Sequence, residues 1–162
     1  MTQENINSMI DMLDEECSKI NLKAKVKGMM PFETFRQNII DYFLFPNGAT
    51  CFDFNDLRYA FRCGELLDII TIDTTYKETN LLKTAVSKLS EAHAGQTMVH
   101  CLISIPSEEF CSFHSYYLNC FDECRKCYLQ SEFMLEIHDS ISSSANKVAV
   151  LAAFSNNKED EK

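Results

Sequence analysis

Glycine and proline are scarce in this 162-residue chain, four and three respectively, and tryptophan is missing. So few glycines leave no phosphate-cradling loop: neither GxxxxGKS/T nor GxGxxG occurs. There is no GxSxG elbow, and no local spacing assembles a nucleophile, a base and an orienting acid. Basic residues are outnumbered, 15 against 24 acidic, for a net charge of −9. A field of that sign repels phosphate backbones and argues against nucleic acid as a partner. No apolar run approaches the roughly 18–20 residues of a membrane span. The first residues, MTQENINSMIDMLDEEC, lack the basic start and small-residue cleavage site of a secretory signal. A cytoplasmic location is expected, and in it the eight cysteines are reduced thiols.

What is present suits one folded domain. Hydrophobic residues make up 46% and aromatics 11%, enough for a core and too much for a disordered chain. Ile6, Met9, Ile10, Leu13, Cys17 and Ile20 recur at three- and four-residue steps, which predicts an amphipathic helix over 2–20 packed on the domain. Residues 21–28, NLKAKVKG, read as an exposed edge strand or a linker. Pro31 opens a helix with Phe32, Phe35, Ile39, Ile40 and Phe43 on its apolar face. From Gly64 the period changes. GELLDIITIDT, TMVHCLISI (97–105), SEFMLEIHDSI (131–141) and KVAVLAAF (147–154) read as strands. Helices are expected at 77–92, closed by Gly95 as a C-cap, and from Ser107 to about Tyr128.

The fold class expected is therefore α/β (α+β). It is a β-α-β-α-β-β mixed four-stranded sheet with helices mainly on one face, preceded by N-terminal helices. Helical crossovers make the first three strands parallel, and the short SSSAN connection suggests that the last two form an antiparallel hairpin. The divisions are 1–28, an N-terminal helix and linker; 29–155, the sheet domain; and 156–162, an acidic tail.

The stretch with most functional content is Asn47 to Cys63, NGATCFDFNDLRYAFRC. Asn47-Gly48 reverses the chain cheaply because both residues tolerate φ > 0. Asp53 then falls at a helix N-cap and Asp56 at N3, with Phe54, Leu57 and Phe61 following at helical spacing. Two carboxylates thus share the first helical turn, where the macrodipole favours negative charge. Ordinary capping explains such a pair by itself.

Taken in order, several strings resemble the C-terminal domain of the FtsZ/tubulin superfamily over roughly residues 30–155. FETFRQNIIDYF, with Arg36-Gln37, resembles the second half of the family's central helix. TCFDFNDLRYAF resembles the following loop and helix, GELLDIITIDT the first strand, and TNLLKTAVSKL the next helix. The family's loop reads Asn-x-Asp-x-x-Asp; here the acids fall on Asp53 and Asp56 and the asparagine position is Cys51. The resemblance implies a partner-contacting loop of Cys51, Asp53, Asn55 and Asp56 that reaches the nucleotide of a neighbouring subunit. The GTP-binding half has no counterpart, so no catalysis in cis, no cofactor and no GTP site of its own are expected. The chain would supply Asp53 and Asp56 in trans at most.

Cys111, Cys120, Cys124 and Cys127 lie on one predicted helix, the last two spaced CxxC. Phe110, Phe113, Tyr117, Cys120, Cys124 and Cys127 step along one face, which favours core packing over a metal site at Cys120, Cys124 and Cys127. His93, His100, His114 and His138 are scattered and read as surface or satisfied histidines. The function expected is a non-catalytic interaction domain that modulates or caps a cytoskeletal GTPase filament, with an FtsZ/tubulin-like GTPase or a second copy as partner. The alternatives are a homo-oligomeric small-ligand or regulatory module and, third, a cysteine-based metal or redox module.

Overall fold

The computed structural model describes residues 2–28, 30–45, 53–75, 77–139 and 147–156. The Asn47-Gly48 turn, Cys51, the SSSAN connection and residues 157–162 lie outside them. None of the described helices is long and apolar enough to cross a membrane.

Helix α1 (Gln3–Lys19) starts where the Thr2 hydroxyl accepts from the Asn5 amide. A single turn, α2 (Leu22–Lys25), follows Asn21, which takes the left-handed conformation at φ 52°. Where an edge strand or a linker was expected, at 21–28, residues 22–25 form a helical turn and Val26 bridges Leu67 in parallel. Helix α3 (Phe32–Tyr42) leads to α4 (Phe54–Cys63). Beyond Gly64 come β1 (Leu66–Asp73), α5 (Leu81–Ala92), β2 (Gln96–Pro106), α6 (Ser107–Ser112), α7 (His114–Cys127), β3 (Glu132–His138) and β4 (Lys147–Asn156).

Two expected details change. Asn80 caps α5 through the Lys83 amide, and the helix ends at His93 rather than at a left-handed Gly95. The single helix expected from Ser107 breaks at Phe113, whose backbone leaves the helical region at φ −134° and ψ 37°.

The mixed four-stranded sheet has the order β1-β4-β2-β3. β4 runs antiparallel to both β1 and β2, and β2 pairs with β3 in parallel. The three earlier strands share one direction, as the crossovers require. The expected β3–β4 hairpin is not formed, because β4 passes β2 and inserts between it and β1. A short connection does not forbid this. The eight residues 139–146 reach up to about 27 Å, whereas crossing one intervening strand needs about 10 Å.

Both crossovers step toward the β3 edge, so one handedness puts their helices on the same side. Leu82, Val86 and Leu89 of α5 and Tyr117 and Cys124 of α7 pack there with Cys101, Ile103, Val148, Val150 and Phe154. On the opposite side, Leu13, Leu22, Phe35, Ile39, Leu57 and Phe61 pack on Leu67, Ile69, Leu102, Ala149, Leu151 and Ala153. The crossover helices keep to one face as expected. The N-terminal helices and α4 cover the other.

Gly64 passes close to β4, and a Cβ there would sit 2.6 Å from the Phe154 carbonyl oxygen and 2.8 Å from its amide nitrogen. Both obstacles are backbone and cannot swing away. Gly64→Ala should lower unfolding stability by about 1–3 kcal/mol. Gly95→Ala, with nothing within 4 Å of its new Cβ, should leave it nearly unchanged. Urea denaturation followed by circular dichroism measures both.

Candidate functional site

The acidic turn forms at the start of α4 as the sequence suggests. Asp53 adopts extended backbone, and its Oδ1 accepts from the amides of Asn55 at 2.8 Å and Asp56 at 3.3 Å. Asp56 Oδ2 reaches back to the Asp53 amide at 2.9 Å. A reciprocal capping box of this kind satisfies helix N–H groups that otherwise lack partners. Capping occupies one oxygen of each carboxylate. Asp53 and Asn55 are exposed and Asp56 half-buried, so the turn still presents negative charge to solvent. Arg58 Nη1 donates to Asn55 Oδ1 at 2.8 Å and fixes that side chain too. Cys51 lies outside the described residues.

The far end of α4 is firmly held. Lys25 Nζ donates to the carbonyls of Phe61 and Gly64 at 2.9 and 3.0 Å, where the helix dipole favours a cation. Glu16 of α1, 2% exposed, takes Arg62 Nε at 2.7 Å and Arg58 Nε at 3.3 Å. The two arginines stand one helical turn apart and meet one carboxylate. That ties α1 to α4.

Along β2 and β3 a second set of polar residues is enclosed. On β2 and β3 the parallel register sets His100 beside Glu132, Ser104 beside Glu136 and Pro106 beside His138. His100, Glu136 and His138 are each about 1% exposed and Ser104 is fully buried. The Ser104 hydroxyl donates to the Tyr42 carbonyl and sits 2.6 Å from His138 Nδ1. With the hydroxyl proton so committed, Nδ1 carries the ring proton and donates to Ser104. Tyr42 lies edge-on to His138 at 5.4 Å between ring centroids, and Tyr59 to His100 at 5.2 Å.

Among the described residues, both ring nitrogens of His100, both carboxyl oxygens of Glu136 and Nε2 of His138 find no hydrogen-bond partner. These two histidines were expected to be surface or satisfied; both are buried, His100 unpaired among the described residues and His138 paired through Nδ1 alone. Burial pushes the His138 imidazole down to about 4. Burial also lowers His100, against the pull of Glu132 and Asp56. For Glu136 burial acts in the other direction and raises the carboxyl well above its usual range. Side chains alternate along a strand, so Glu136 and His138 in SEFMLEIH share one side. The sequence carried no sign that this side is roofed over.

The other candidate residues divide. Cys120 and Cys124 are buried in the core beside Tyr117, as the packing reading expects, whereas Cys127 and Cys111 are exposed. Among the described residues no three His, Cys, Asp or Glu side chains are placed to hold a metal ion. His93 Nε2 lies 2.9 Å from Asp68 Oδ2 on β1, and its ring stacks on Phe154. A surface groove of about 590 Å³ between α5 and α7 is lined by Asn80, Lys83, Thr84, Glu91 and Glu123.

Compared with protein-family models and with curated proteins, the chain matches none.

The capping box makes a graded prediction. Asp53→Ala should cost about 0.5–2 kcal/mol of stability, whereas Asp53→Ser, which retains an acceptor, should stay close to wild type. Parallel thermal melts of the two variants provide the check.

Proposed function

We propose that this protein is a non-catalytic interaction domain. Its acidic turn, Asp53 to Asp56, docks on the nucleotide-bearing face of an FtsZ/tubulin-like GTPase and modulates or caps its filament. The observation that carries the reading is the pair of acids at the amino end of α4, Asp53 exposed and Asp56 half-buried. It lies between a helix that resembles the family's central helix and a β-α-β-α-β-β sheet domain. The charge is fixed in place by the capping box and by Arg58 on Asn55, so little side-chain entropy is lost on docking.

Chemically, carboxylates at a helix start are suited to orienting a water or a cation. They are poor at removing a proton outright, because the dipole and the N–H groups favour the ionised form. The domain would then lend acids to a neighbour's nucleotide site without hydrolytic activity of its own. A cytoplasmic location belongs to this reading, because such filaments assemble there.

Removing charge must not remove the cap, or instability would mimic lost docking. Asp53→Ser combined with Asp56→Gln keeps the S-x-x-Q form of the capping box while discarding both charges. Wild-type protein, mixed in equal amount with the FtsZ of the same cell and GTP, should change sedimented polymer and phosphate release by twofold or more. The double variant should have no effect while melting like the wild type. Equal action by the two proteins, or no action by either, would sink the docking idea.

A further inference from the structure

The two edges of the sheet are finished differently. At β1 the chain covers its own edge. Val26 bridges Leu67, the Lys27 amide donates to the Leu67 carbonyl at 3.0 Å, and Lys25 and Lys27 flank the contact. At the other edge, β3 pairs with β2 through seven consecutive residues, Glu132 to His138, with no register shift. Among the described residues no strand or bridge lies on its far side. Sheets guard such an edge with lysine, proline, a bulge or a covering segment. EFMLEIH has neither lysine nor proline, and its pairing has no bulge.

The surroundings of β3 are also apolar. Of the five large hydrophobic side chains exposed among the described residues, three border this strand. Leu129, 85% exposed, lies in the turn that leads into it. Tyr59 of α4, 52% exposed, reaches Glu132 with its hydroxyl. Leu118 of α7 is 44% exposed and stands one turn before Phe121, whose ring meets Phe133 of β3 edge-on at 6.2 Å. Tyr116, Cys120 and Glu123, on the opposite side of α7, meet the start of α5. The Leu118–Phe121 side therefore looks outward over the β3 edge.

We propose that β3 is a self-pairing edge, along which two copies of this chain join antiparallel about a two-fold axis at Leu135 to form one eight-stranded sheet. Identical edges related by an axis normal to the sheet run antiparallel, and each uses up the other, so the assembly closes at two. Side-chain chemistry selects the register. With the axis at Leu135 all seven residues pair: Glu132 faces His138 across the seam, Phe133 faces Ile137, and no acid faces an acid. With the axis at Met134, only 132–136 pair and Glu132 faces Glu136. With the axis at Glu136, only 134–138 pair and Glu136 faces itself. The occupant is a second copy because the strand is its own complement. The same axis keeps both α7 helices on one face of the joined sheet, so Leu118 and Phe121 of each copy flank the seam. A net charge of −9 on each copy opposes association at range, and salt screens that repulsion. The pairing stands whether or not the acidic turn docks on a filament.

Sedimentation velocity on the full chain in about 0.5 M salt tests this. A species of 18.6 kDa should give way to one of twice that mass as concentration rises from about 1 to about 500 µM. Over the same range, exchange of the outward β3 amides should slow by about tenfold or more while β1 stays level. Leu118→Lys should raise the dissociation constant by about tenfold or more. Met12→Lys, an equally exposed position on α1 beyond the far side of α4, should leave it unchanged. A nitroxide on Glu132→Cys, with the exposed Cys111 and Cys127 changed to Ser, should lie about 20 Å from its mate, six residues along the strand pair. Three results would overturn the proposal: a monomer still at about 500 µM, equal weakening by Leu118→Lys and Met12→Lys, or a spin separation of about 13 or about 27 Å, those of the other two registers.

Discussion

The fold depends on β4 lying in the middle of the sheet. It alone joins β1 to β2, accepting and donating along both of its edges, and without it the first strand has no partner in the sheet. Every residue from Val148 to Phe154 is buried, with alternate side chains entering opposite cores. Ala149, Ala152 and Ala153 keep the strand slim enough for helices to pack closely on both sides. The close passage of Gly64 against Phe154 follows from the same crowding.

A sheet covered on both faces leaves a problem at its rim. α3 lies over β1 and β4, and α4 over β4 and β2, and polar residues of β2 and β3, His100, Glu136 and His138, are buried as well. Unpaired polar atoms in such a place cost roughly 1–3 kcal/mol each. Elsewhere its buried polar groups are paired with care. Glu16 meets two arginines, Asp68 meets His93 and the Ile69 amide, and Asn80 meets both the Cys120 carbonyl and Glu123. The contrast is what marks His100, Glu136 and His138.

Legibility varied with the range of the interaction. The Asp53–Asp56 box was readable because a cap involves residues three apart, and local chemistry settles it. The break at Phe113 was not, since its apolar stripe ran straight through; Tyr117 and Cys124 are buried and Phe113 is not, its ring lying under Lys77 instead. KVAVLAAF did carry a clue to its place. A strand apolar at every position is buried on both faces and belongs in the interior of a sheet, while the alternating SEFMLEIH suits an edge. The short connection between them suggested a hairpin and concealed that clue.

The sequence by itself determined the order of the four strands and their crossovers, the shared direction of the first three strands, the capped acidic turn and the cysteines of the core. Each rests on periodicity or on groups within a helical turn of one another. Only the tertiary structure decided that β4 threads between β1 and β2 and that α1 is bound to α4 through Glu16. It alone decided, too, that two histidines and a glutamate are buried with ring or carboxyl atoms unpaired among the described residues. Those outcomes depend on which distant segments exclude water from a given side chain, and burial of that kind is a property of the packed whole.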